Sequence, residues 1–282
     1  MAQNLPHSLE PSPVFVIGSD RSGTSVFREC LGHGDHHAVL TFEPRIFCNP
    51  SASLRTLQDL TNGVKRQALR DYHINRYEFA TSHGRRGYFQ WMDKVTYETA
   101  VTQLMDGLGA ASERVRNFHS TVLKALLAEK ESWIDDTPAN AFVMEDIAAT
   151  FPRAKFFHII RDGRDVANLI VRQGWCNRNF DRAMGLWISR VRAARAARID
   201  RTNYMEVSFT IFVADPESVL RKCADFLSIP FSSKMVAPVN AQRANKFVKM
   251  HTVAATKLLK LLAPDVLEEF GWPNRDNFRG VE

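Results

Sequence analysis

The stretch from Pro13 to Leu31 constrains the fold more than any other. It has an apolar run, Val14-Phe15-Val16-Ile17, then Gly18-Ser19-Asp20-Arg21-Ser22-Gly23-Thr24-Ser25, then Val26 to Leu31 at helical spacing. An apolar run that ends in glycine and small hydroxyl residues and passes into a helix spells a buried strand, a tight loop and a helix N-terminus. That geometry binds phosphate. Unpaired N–H groups of the first helical turn point at an anion, glycine lets the main chain come close, and the macrodipole adds roughly half a positive charge. Thr24 and Ser25 add hydroxyl donors.

A Gly-x-x-x-x-Gly spacing by itself also occurs in plain strand-to-helix turns. The flanking strand, the helix and the Arg-Ser-Gly-Thr-Ser filling are what favour phosphate here, since each is a separate requirement of the binding geometry. A triphosphate loop would also need Gly-Lys-Ser/Thr, with the lysine on the β/γ-phosphates and the hydroxyl on Mg²⁺, and Thr24 stands at the lysine position. The loop suits one phosphate plus Arg21, and is poorly equipped for a metal-bound triphosphate.

With 282 residues, 45% of them apolar, the chain can bury the core of one large α/β domain, or at most of two small ones. The net charge of +6 suits anionic ligands without requiring nucleic acid, and no alternation of aromatic and basic residues marks a single-strand-binding surface. Met1 to Ser12 has prolines and no apolar core, so it reads as a disordered leader and not a signal peptide. No run approaches the ~18 apolar residues of a membrane span. Cys30, Cys48, Cys176 and Cys223 are widely spaced, which points to reduced thiols in the cytoplasm. His33, His36 and His37 lie close together, but in a Gly/Asp loop with no fourth metal ligand in view.

Further along, Ala38 to Phe42 reads as a short strand delivering Glu43-Pro44-Arg45 just past its end. In open α/β sheets ligands sit outside the carboxyl ends of strands, so Glu43 is expected at the same crevice as the loop. It is either a general base there or a surface glutamate before a helix. About 50–130 is helical in pattern and rich in aromatics, including Tyr72, Tyr97 and Phe118, which serve either an acceptor pocket or a core. Lys155 to Ile160 is the second clear buried strand. It ends in Arg161-Asp162-Gly163-Arg164-Asp165, whose arginines offer planar donors to phosphate or pair with the neighbouring aspartates. Phe180 to Arg201 reads as a long helix with a solvated row of Arg192, Arg195, Arg198 and Arg201. Tyr204 to Phe209 reads as a third strand, and Asp215-Pro216 as the cap and first residue of a helix.

Taken together these residues resemble sulfotransferases that use 3′-phosphoadenosine 5′-phosphosulfate (PAPS), in particular the branch of tyrosylprotein sulfotransferases and their bacterial relatives. The likeness runs from about Pro13 to Asn274. It rests on Arg21-Ser22-Gly23-Thr24-Ser25, Glu43-Pro44-Arg45, Phe151-Pro152 through Asp165, Tyr204-Met205-Glu206-Val207 with Asp215-Pro216, and Pro238 to Lys246. The resemblance implies a P-loop-like, three-layer α/β fold. It has a central, mostly parallel β-sheet flanked by helices, in a single domain over 13–282 after the leader 1–12, with a helical insertion about 50–130. It implies that Arg21, Ser22, Gly23, Thr24 and Ser25 hold the 5′-phosphosulfate, that Arg161 holds the 3′-phosphate, and that Tyr204 and Lys246 complete the cofactor site without a metal. Glu43 and Arg21 are the implied catalytic residues. Glu43 takes the proton of an acceptor hydroxyl, and Arg21, Thr24, Ser25 and the loop amides meet the charge that develops. The acceptor expected is a small molecule, lipid or sugar in the cytoplasm.

At two positions the chain departs from the family. Asp136 stands where the family has a lysine contacting the transferred group, and Leu169 where it has a serine on the 3′-phosphate. Arg45, Lys94 or Lys246 could take the first duty, and Asn168 or Arg172 the second. These departures keep a catalytically silent nucleotide-binding relative open as an alternative. A P-loop kinase or NTPase is the other, against which the missing Gly-Lys speaks.

Overall fold

The computed structural model describes residues 12–40, 43, 45, 47–48, 63–82, 92–127, 130, 132–239, 260–261 and 264–269. Strand β1 (Val14–Gly18) leads into helix α1 (Thr24–Gly32) and strand β2 (His37–Val39). Helices α2 (Gly63–Ser82), α3 (Lys94–Asp106) and α4 (Ala111–Leu127) precede strand β3 (Ser132–Asp135), a 3-10 turn over Pro138–Phe142 and helix α5 (Met144–Thr150). Strand β4 (Lys155–Ile160) is followed by helices α6 (Gly163–Arg172) and α7 (Phe180–Ala196). Strand β5 (Tyr204–Ser208) is followed by helices α8 (Phe209–Ala214), α9 (Pro216–Leu227) and α10 (Pro264–Glu269).

Among the described residues these strands form one parallel sheet in the order β2-β3-β1-β4-β5. Parallel strands need crossovers that lay helices on the faces, so the central strands must be apolar on both sides. β1 meets this demand. Val14 and Val16 pack with α1, α8 and α9 on one face, and Phe15 and Ile17 with α3, α4 and α5 on the other. Burying one such side chain contributes about 1.5–3 kcal/mol. A third apolar cluster joins α6 and α7 through Ile170 and Trp187.

Several expectations shift at their edges. The third strand stops at Ser208, because Ser208 caps α8 through its side chain and Phe209 is already helical. The long helix ends at Ala196, and its arginine row is not uniformly solvated. Arg195 makes a bidentate pair with Glu206 of β5, 2.9 Å for each hydrogen bond. Tyr97 and Phe118 go into the core and not into a pocket. Asp215 caps α9 as expected, accepting from Ser218 N at 3.1 Å. Residues 1–11 of the leader, much of the aromatic stretch after Pro50, and Asn240 through Lys246 lie outside the described residues. No helix among the described residues is long and apolar enough to cross a membrane.

Candidate active site

The loop between β1 and α1 is shaped by its own backbone. Ser22 donates through both N (3.1 Å) and Oγ (2.6 Å) to Ser19 O, closing a tight turn. Arg21 sits at φ 68° and Gly23 at φ 105°, both left-handed. The first costs about 1–3 kcal/mol for a residue with a Cβ, and at the second a Cβ would run into the Phe209 ring. At Gly18 a Cβ would lie 2.7 Å from Ile159 O, so that loop end must also be glycine. Ser22, expected as a ligand, therefore spends its hydroxyl and amide on the turn and is fully buried.

The turn is shaped to suit an anion. Helix α1 begins with no side-chain cap and no acidic residue in its first turn, so its amides are not claimed by a carboxylate. Ser19 Oγ is buried and finds no hydrogen-bond partner. Thr24 is buried at the helix start and Ser25 is exposed beside it. An uncapped helix N-terminus with an orphaned hydroxyl and Arg21 alongside fits a phosphate-like group.

A second cation stands at the neighbouring strand end. β1 pairs with β4 residue for residue, Gly18 opposite Ile159, so Arg161 emerges next to the loop. Arg161 is 6% exposed, and Trp187 Nε1 donates to its carbonyl at 3.1 Å. Burial pushes its pKa below the usual arginine value, Asp165 opposes this, and the nearby Arg21 adds to the lowering. Two guanidiniums within electrostatic reach at one sheet edge suit a ligand with more than one negative charge. The aspartate pairing left open by the sequence divides unevenly. Arg164 is fully buried and tied to Asp162, with Nε at 2.9 Å and 3.1 Å from its two oxygens, whereas Arg161 meets Asp165 at 3.6 Å.

Glu43 is half-buried and accepts from Arg45 Nε (2.9 Å) and Nη2 (2.6 Å), both at Oε2. Partial burial lowers the Arg45 pKa, but Glu43, Cys48 and Asp20 of the β1–α1 loop raise it above the usual value. Phe47 fixes the segment by packing edge-on against Phe15, with centroids 5.9 Å apart.

The structure also reports residues that local sequence did not single out. Arg190 of α7 pairs with Asp20 at 2.5 Å, a contact across 170 positions with no local signal. Asp136, at the position of the departed lysine, is 2% exposed and accepts from Arg28 Nη1 of α1 at 2.9 Å. Asp135 is buried, accepts from Thr137 N (2.8 Å) and Asn140 Nδ2 (3.3 Å), and burial pushes its carboxyl up to about 7. Leu169 faces the interior.

Tyr204 is not brought to this edge. It opens β5, four residues or about 13 Å along the strand from the carboxyl end. There its hydroxyl donates to Glu206 at 2.7 Å and lies 2.7 Å from His158 Nδ1. Lys246 lies outside the described residues. Among those residues no group of three or more His, Cys, Asp or Glu side chains could hold a metal ion, and the four cysteines are unpaired.

A sequence profile described as "Sulfotransferase family" matches residues 13–233. Protein-tyrosine sulfotransferase A of Caenorhabditis elegans is 22% identical over 230 residues, 79% of this chain and 51% of that protein, so the chain spans about half the length of this curated relative. Among solved structures, the sulfotransferase domain of the olefin synthase of Synechococcus PCC 7002 superposes with a TM-score of 0.64 at 19% identity, covering 95% of this chain and 98% of that one. The sulfotransferase domain from the curacin biosynthetic pathway gives 0.58 at 15% identity, covering 90% and 98%.

Proposed function

The chain belongs to the sulfotransferase family, and from that premise we propose that it moves a sulfuryl group from PAPS to a hydroxyl of a small-molecule, lipid or carbohydrate acceptor. One observation carries the donor: the register of β1 against β4, with Gly18 opposite Ile159, sets the uncapped α1 terminus beside Arg161. Two anion cradles at neighbouring strand ends match a donor bearing phosphates at both its 5′ and 3′ positions. Bound there, PAPS supplies the transferable sulfuryl group and a phosphate leaving group.

The chain's own residues do the rest. The first-turn amides of α1, with Arg21, Thr24 and Ser25, hold the 5′ anion and meet charge growing on the leaving oxygen, the kind of preorganised stabilisation that usually contributes most. Arg161 holds the 3′-phosphate, which distinguishes this donor from ATP because ATP has no 3′-phosphate to meet the buried guanidinium beyond Asp165. Glu43 receives the acceptor's proton, and Arg45 holds the carboxylate in place. Lys246 is proposed to close over the donor. The unpaired cysteines fit a cytoplasmic setting.

The burial of Asp136 against Arg28 favours a second reading, a catalytically silent relative, because an anion stands where the family has a cation and the nearby Arg28 is spent on it. Turnover decides between them. With PAPS and a panel of alcohols, phenols, sterols and sugars, the wild type should transfer sulfate and Glu43→Gln should lower kcat by roughly 10²–10⁴-fold. Equal binding of 3′-phosphoadenosine 5′-phosphate by both proteins, with no transfer by either to any acceptor, supports the silent reading. Magnesium-dependent ATP binding that exceeds binding of that bisphosphate would overturn the donor assignment.

A further inference from the structure

Phe209 is the first residue past β5, and Ser208 pairs with Ile160, so Phe209 and Arg161 leave adjacent strands at the same level. The Arg161 guanidinium carbon lies over the Phe209 ring, 4.7 Å from its centroid. The same ring occupies the space that a Cβ at Gly23 would need. One side chain thus touches the helix-terminus loop and the strand-end arginine together.

The ring is itself held in place. Phe209 is 7% exposed and packs at 6.4 Å on Phe212, which meets Phe27 of α1 at 5.2 Å, and Phe27 meets Phe157 of β4 at 5.1 Å. This aromatic chain starts at the ring between the cradles and passes through α1 into the sheet. An aromatic face attracts a guanidinium and, unlike a carboxylate, does not neutralise it. The ring thus orients Arg161 without adding a second carboxylate to Asp165, which lies 3.6 Å from its guanidinium.

We propose that Phe209 is a positioning and specificity-determining residue, which fixes Arg161 relative to the α1 loop and so sets the preference for a ligand with two phosphates over one with a single phosphate. This rests on the two-phosphate reading above. The ring makes both contacts, so its loss should act on the preference and not merely on overall affinity.

The test is calorimetric titration of 3′-phosphoadenosine 5′-phosphate and of adenosine 5′-phosphate into wild type, Phe209→Leu, Phe209→Met and Phe209→Tyr, with Arg161→Met as reference. The wild type should prefer the bisphosphate. The Leu and Met variants should reduce the ratio of the two affinities by about 3- to 30-fold, the range a cation–π contact contributes, and Tyr, which keeps the ring, should restore it. In the Arg161→Met background Phe209→Leu should change the ratio no further. A ratio within about 2-fold of wild type in whichever of the Leu and Met variants retains native circular dichroism overturns the inference alone. A wild type without any preference for the bisphosphate overturns the two-phosphate reading itself, and the inference with it.

Discussion

Asp135 shows at the scale of one side chain how a site residue can be dictated by burial. Burial raises its carboxyl from 3.8 to about 7, against the lowering effect of the Thr137 hydrogen bonds. Because the folded value lies above the unfolded one, the protonated form stabilises the fold. That contribution is complete below the unfolded value and is lost as pH rises through 7, an effect on the order of 4 kcal/mol. Asp135→Asn removes the titration while keeping an oxygen for Thr137 N. The melting-temperature difference, variant minus wild type, should therefore grow in the variant's favour between pH 5 and pH 8, and a flat difference across that range would rule the assignment out. Ser22 carries the complementary lesson. Its place in the motif marks it as a ligand, yet its hydroxyl closes the turn on Ser19.

Between elements, the ion pair of Arg28 and Asp136 ties α1 to the turn after β3. Both groups are nearly removed from water, at 8% and 2% exposure, so neither tolerates the loss of its partner. Asp136→Ala, which leaves the buried Arg28 with only the exposed Glu29 of its own helix at 3.4 Å, should destabilise the protein by about 3–5 kcal/mol in urea unfolding. Replacing both residues by Met should cost less than the single change, because no orphaned charge remains. A double variant less stable than Asp136→Ala would show that the pair matters for more than charge compensation. The pair also accounts for one departure from the family pattern: the aspartate after β3 is matched by an arginine on α1.

For the whole molecule, a ligand spanning both cradles contacts the ends of β1 and β4 together and must stabilise the folded state as a unit. At a hundred times its Kd, 3′-phosphoadenosine 5′-phosphate should contribute about 2.7 kcal/mol, which raises Tm by about 5 °C in a chain of this size. Arg161→Met should lose most of that rise at the same concentration, and an undiminished rise would place the second phosphate elsewhere. The apolar runs of β1 and β4, the loop between β1 and α1, and the Asp215 cap were legible in the sequence. Each is a local pattern in which burial, turn geometry and capping act within a few residues. The sequence by itself thus determined a strand-loop-helix of the kind that suits phosphate and two arginines at a strand end. Only the tertiary structure decided that Arg164 is consumed by Asp162 while Arg161 lies over Phe209, that Arg190 reaches Asp20, and that Tyr204 begins its strand far from the site. Those outcomes depend on strand order, strand direction and register, which are set by the packing of segments distant in the chain, and no local pattern of residues encodes them.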